Sequence, residues 1–144
     1  MNNKTLIEQI EFIKTFLEKE DSAYEKASDR ALDQKYGYGT SHDKGPKTSF
    51  GRAANRNTAA AVLKSIRRAR DQGKKSTSAG RADAAHRGWA ATARTSKDQT
   101  PEKKAKRAVL ADTPYKELPK DEQEKDQVAA DAVKKEYSKR RKTK

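Results

Sequence analysis

The stretch Ala59-Ala60-Ala61-Val62-Leu63-Lys64-Ser65-Ile66-Arg67-Arg68-Ala69-Arg70 decides how this chain is read. Ala59, Val62, Leu63 and Ile66 recur at the i, i+3, i+4, i+7 spacing that brings residues to one side of an α-helix. Arg56, Lys64, Arg67, Arg68 and Arg70 spread over the remaining arc. Gly73 stands where a helix-ending residue belongs, and cations in a last turn complement the negative end of the helix dipole. The spacing predicts a helix over 53–72. Its apolar stripe is narrow, and its other side is unusually cationic.

Both properties extend to the whole chain. Of 144 residues, 32% are hydrophobic and 38% charged, and the mean hydropathy is -1.24. That balance suits a small core resting on a few anchors, drawn from one Trp, three Phe and five Tyr. The net charge of +13 is unevenly placed. Residues 1–34 carry 5 Lys/Arg against 8 Asp/Glu, residues 35–110 carry 19 against 5, and residues 111–144 carry 10 against 8. A cationic excess concentrated in the middle of a chain points to an anionic partner: phosphates, or an acidic protein surface.

Outward from the central helix, the pattern predicts an all-α fold. Leu6, Ile10, Ile13 and Leu17 fall on one stripe, widened by Ile7, Phe12 and Phe16, and predict a long amphipathic helix over 4–34. Such a stripe packs on its own domain or docks a protein partner. Residues 35–52 form a polar loop punctuated by Tyr36-Gly37-Tyr38-Gly39 and Gly45-Pro46. Residues 73–81 read as a basic linker, and a third helix is expected over about 81–95. On it Ala82, Ala85, Trp89 and Ala93 share a face, which makes the single Trp the expected plug of the main core. Thr100-Pro101 has the form of a helix cap and first turn, opening a short helix to about residue 110. A turn at Asp112-Thr113-Pro114-Tyr115 then leads to a last helix over about 120–139, bearing Val128, Ala129, Ala132, Val133 and Tyr137 on one side. The organisation expected is 1–34 an N-terminal helix, 35–80 a basic loop, helix and linker, 81–137 a second helical unit, and 138–144 a basic tail.

Several chemistries are excluded or disfavoured. The chain has no Cys, which removes disulfides, thiolate nucleophiles and cysteine zinc sites together. Gly39 to Thr48 resembles a phosphate-binding P-loop only superficially. Five residues, not four, separate Gly39 from Gly45, and Pro46 has no N–H to donate. His42 and His86 lack the spacing of a metal pair. The acidic group Asp121, Glu122, Glu124 and Asp126 sits where a helix N-terminus favours carboxylates without catalytic purpose. No enzyme activity, cofactor or metal is expected. No apolar run reaches the roughly 20 residues of a membrane helix, so membrane insertion is not expected. A cytoplasmic or virion-associated location fits the composition.

The C-terminal half also carries a resemblance. Ala82-Asp83-Ala84-Ala85-His86-Arg87-Gly88-Trp89-Ala90, followed by Thr113-Pro114-Tyr115-Lys116-Glu117-Leu118-Pro119-Lys120-Asp121-Glu122-Gln123-Glu124-Lys125-Asp126, resembles the RyR repeat. This helical module is named after ryanodine receptors and also occurs in bacterial and phage proteins. The likeness spans roughly residues 81–137 and rests on His-x-x-Trp and Pro-Tyr-x-x-Leu with a trailing charged helix. Between Trp89 and Pro114 the aromatic-glycine elements of the pattern give way to a basic connector, Lys97 to Arg107. The resemblance implies a helical binding module, often in phage or mobile-element settings, with His86, Trp89 and Tyr115 as a candidate ligand pocket.

The functional expectation is a non-enzymatic accessory protein, of the phage setting that the resemblance implies, that binds nucleic acid or another polyanion with little sequence preference. Arg52, Arg56, Lys64, Arg67, Arg68, Arg70, Lys74, Lys75 and Arg81 are the expected phosphate contacts, joined by Arg140 and Arg141. The alternatives are a ligand- or protein-recognition module of RyR type, and a phage structural or host-enzyme-inhibiting protein acting through Leu6, Ile10, Ile13 and Leu17.

Overall fold

The computed structural model describes residues 3–36, 49–97 and 99–142, with side chains over 6–11, 22–36, 50–97 and 99–141. Every regular element among the described residues is helical, without strands: α1 (Asn3–Tyr36), α2 (Ser49–Asp71), α3 (Ser78–Thr95), α4 (Pro101–Asp112), a 3-10 turn (Tyr115–Glu117) and α5 (Lys120–Lys142). The glycine loop compared above with a P-loop, and His42, lie outside the described residues.

Local chemistry sets the helix ends. Gly73 adopts φ 68°. Its N–H donates to the Arg70 carbonyl at 2.9 Å, and the Lys74 N–H reaches back to Ala69 at 2.8 Å. This paired closure uses a left-handed residue, which glycine adopts without a Cβ penalty. Thr77 caps α3 by accepting from the Gly80 N–H at 3.0 Å. Thr100 caps α4, with Pro101 in the first turn where its missing N–H costs nothing. Gln123 Nε2 lies 3.1 Å from the Tyr115 carbonyl, 3.2 Å from Lys116 and 3.1 Å from Leu118, so one amide ties the 3-10 turn to α5.

Helix α2 begins at Ser49, earlier than the periodicity suggests. The added turn holds Phe50, which is buried and lies under the Arg107 guanidinium, 3.7 Å from the ring centroid. Gly51 interrupts the apolar spacing there, which is why the sequence pattern starts later.

The main cluster joins four helices: Tyr24 of α1, Ala59, Val62, Leu63 and Ile66 of α2, Ala85 of α3, and Ala130, Val133 and Tyr137 of α5. Trp89 is not its plug, contrary to the sequence expectation. It is partly exposed and flanks a smaller cluster of Ala90, Ala93 and Ala111. The reason is steric. Helix α3 packs against α2, α4 and α5 at once. Its buried positions are Ala82, Ala84, Ala85, His86, Gly88, Ala90, Thr92 and Ala93, mostly small, and the indole sits at the flank. Tyr115 and Leu118 close a third cluster on Ala82, with Leu110 packed against it.

Helices α1 and α5 run antiparallel. Tyr36 Oη donates to Glu124 Oε1 at 2.9 Å at one end of their contact, and Arg140 lies 5.7 Å from the Tyr24 ring at the other. Lys35 adds an ion pair to Glu124 at 2.8 Å. These hydrogen bonds and charges hold the Glu124 carboxyl below its ordinary pKa. Toward α2, Asn55 bridges buried groups: its Nδ2 donates to the Glu25 carbonyl and its Oδ1 accepts from Ser28 Oγ, each at 3.2 Å.

Helices α2 and α3 approach closely at Gly88. A Cβ there would stand 2.4 Å from the Asn57 carbonyl oxygen and 3.0 Å from the Ala61 Cβ. Beside it Asn57 Nδ2 donates to Thr92 Oγ1 at 2.7 Å. Gly88→Ala is therefore expected to destabilise the protein by about 1–3 kcal/mol, the usual cost of overpacking, even though Ala is the better helix former. Urea unfolding followed by circular dichroism would measure it; an unchanged midpoint would mean that the two helices are not locked at this point.

Candidate functional site

Two regions stand out. The first is cationic. On α2, Arg52, Arg56, Lys64 and Arg68 are exposed and follow one another at multiples of four residues, so they line one outward side of the helix. Arg67 is half-buried beside them, and Leu63, Lys64, Arg67, Arg68 and Asp71 line a shallow depression of about 450 Å³. Lys74 and Lys75 continue the charge just past the helix end, both exposed.

The tertiary structure brings the tail of α5 to this end of α2. Arg70 Nη1 donates to Tyr137 Oη at 2.8 Å. Lys134 and Arg141 each lie 5.7 Å from the same ring. Two cationic groups far apart in sequence thus meet around one aromatic ring, whose face attracts cations. Not every expected contact is equally available. Arg70 also approaches Asp71 at 3.5 Å. Arg81 is turned inward, its Nη1 donating at 2.8 Å to both the carbonyl and the hydroxyl of Ser76. Arg140 pairs with Glu136 at 3.0 Å. These three are engaged within the fold; Arg56, Lys64 and Arg68 are exposed on the outer side of α2, as is Arg52, which also interacts within the protein.

The second region is a cavity of about 740 Å³ among all five helices. Its lining includes Leu32 of α1, Asn55 of α2, His86 and Trp89 of α3, Lys106 of α4 and Asp126 of α5. His86 and Trp89 stack at 6.0 Å between centroids with their planes 20° apart, as the i, i+3 spacing on a helix allows. His86 is buried, with Nε2 2.8 Å from the Thr113 carbonyl and Nδ1 3.6 Å from Asp126 Oδ2. A carbonyl only accepts, so Nε2 carries a proton and donates to it. Burial, reinforced by the negative charges of Glu122 and Asp83 and opposed by Lys125, raises the Asp126 carboxyl to about 7. Tyr115, expected beside His86 and Trp89, lies instead in the Ala82 and Leu118 cluster, where burial raises its hydroxyl pKa.

Sequence reading found His86 and Trp89 but not the rest of this lining. Lys103, Lys106 and Arg107 come from α4, and Glu122, Lys125 and Asp126 from α5. Their convergence has no sequence spacing to reveal it. Within the Lys97 to Arg107 stretch the helix starting at Pro101 was legible from its cap, but not which of its cations face the cavity.

No family model, curated protein or solved structure matches the chain.

The raised Asp126 pKa sets a pH dependence of stability. Between about pH 4 and pH 7 the folded protein holds a proton on Asp126 that the unfolded chain has released, so stability falls as pH rises through that window and levels off above it. Asp126→Asn removes the contribution. The variant is expected to gain about 2 kcal/mol relative to the parent between pH 5 and pH 8, read from paired urea curves. A constant difference across that range would show that Asp126 is ionised throughout.

Proposed function

We propose that this protein is a non-enzymatic accessory protein that binds nucleic acid or another polyanion, largely independently of sequence, through the outer side of α2 and the adjoining end of α5. The observation that carries this reading is the convergence on Tyr137 of Arg70 from α2 with Lys134 and Arg141 from α5. It extends the exposed Arg52, Arg56, Lys64 and Arg68 row into one cationic region at the end of the bundle. Phosphate backbones are matched by such a region without base reading, and binding gains from counterion release.

The reading has a quantitative consequence. Fluorescence anisotropy with labelled DNA and RNA should give affinities that fall linearly with salt on logarithmic axes and differ little between sequences. Replacing Arg52, Arg56, Lys64 and Arg68 together by Gln should lower the duplex-DNA salt slope by roughly three to four, about one per lost phosphate contact. No binding to either nucleic acid at low salt overturns the proposal.

A second reading, a recognition module of RyR type, is favoured by the cavity that His86 and Trp89 line. A third, docking of a protein partner on the N-terminal helix, draws on the exposure of Leu6 and Ile10, at 50% and 56%. Ile13 and Leu17, the other half of that stripe, have side chains outside the described residues.

A further inference from the structure

The cavity has a chemistry that the cationic surface does not use. At about 740 Å³ it is the size of a small-molecule site. Its walls are unlike one another. Trp89, Leu110 and Leu118 supply an apolar and partly aromatic side. On α4, Lys103 and Lys106 are exposed, and their ammonium groups make no ion pair among the described residues. Their neighbour Arg107 is already engaged, over the Phe50 ring and 3.0 Å from Gln99 Oε1. On α5, Glu122 is paired with Lys125 at 3.4 Å. Deeper in, His86 and Asp126 form a buried polar pair. With Nε2–H spent on the Thr113 carbonyl, His86 turns Nδ1 toward Asp126 Oδ2, 3.6 Å away.

These features set what fits. A purely apolar guest leaves the His86–Asp126 pair facing nothing polar, at the cost of burying unsatisfied groups. At this volume the space takes a small molecule rather than a length of polymer. A flat ring suits the Trp89 side, an N–H suits the acceptors of the buried pair, and a negative group suits the two free ammoniums. We propose that the cavity binds a small organic anion with a planar, N–H-bearing heteroaromatic ring, its ring beside Trp89, its N–H toward His86 and Asp126, and its acidic group on Lys103 and Lys106. The site shares none of its lining with the Arg52, Arg56, Lys64 and Arg68 row. It rests on the ligand-module reading and is independent of the polyanion reading.

Trp89 is the only Trp, so its indole N–H gives one unambiguous resonance in a nitrogen-labelled sample. Three probes separate the contributions: orotate (ring, N–H and carboxylate), uracil (the same ring without the acid) and benzoate (an aromatic acid without a ring N–H). Orotate is expected to shift the Trp89 resonance saturably, with a Kd at least tenfold lower than uracil or benzoate. In the Lys103→Ala/Lys106→Ala variant the advantage of orotate over uracil should fall below twofold while uracil binding is retained. That retention also shows the variant is folded. The variant with Arg52, Arg56, Lys64 and Arg68 replaced by Gln should bind orotate as the parent does, so the outcome is separable from that of the nucleic-acid test. No saturable shift with orotate, equal affinity for all three probes, or undiminished orotate binding in the lysine variant each overturns the proposal.

Discussion

The architecture depends on how closely α3 can approach α2. At Gly88 the missing Cβ lets the Asn57 carbonyl come within a distance that any other residue would obstruct. The inward positions of α3 on either side of it are mostly alanines, so three other helices can crowd against it. A hydrophilic chain has few large apolar side chains with which to fill a core. Close approach of backbones through small residues shrinks the space that has to be filled. The protein is held together as much by what α3 lacks as by Val62, Leu63, Ile66 and Val133.

The same constraint positions both candidate sites. Gly88 stands between His86 and Trp89, so locking α3 on α2 fixes where the stacked rings face. With the centre of α3 reserved for alanine, the indole goes to the flank and becomes cavity wall. The short turn at Tyr115–Glu117, clamped by Gln123, then returns the chain so that α5 lays Asp126 against His86. At the far end of the bundle, α5 finishes beside the end of α2, where the phenol of Tyr137 receives Arg70. A buried ring with its hydroxyl at the surface anchors the core and gathers cations in one position.

The charges divide by their partners. Cations that serve the fold are paired: Arg70 with Tyr137 and Asp71, Arg81 with Ser76, Arg140 with Glu136, Arg107 with Phe50 and Gln99. Arg56, Lys64 and Arg68 on the outer row of α2, and Lys103 and Lys106 on α4, are exposed. An Arg count alone does not make this distinction, because guanidinium groups are equally suited to intramolecular forks and to phosphate. For Arg56, Lys64 and Arg68 the helical spacing already pointed to exposure, whereas Arg52 fell in the stretch read as a loop. For Arg81 nothing in the sequence showed that it would turn back onto its own helix cap.

Local chemistry by itself determined the helical class, the ends of α2, α3 and α4 to within a few residues, and the cationic middle of the chain. Each depends on neighbours within a turn or two: the 3.6 period of Ala59, Val62, Leu63 and Ile66, the left-handed Gly73, and the Thr100-Pro101 cap. Tertiary structure alone decided that Trp89 lines a cavity, that Tyr115 lies outside it, that Asp126 reaches His86, and that Arg70 reaches Tyr137. These pairings join residues tens of positions apart. They are set by which helices can come close, and that is fixed by a glycine whose importance appears only once the facing Asn57 carbonyl is in place.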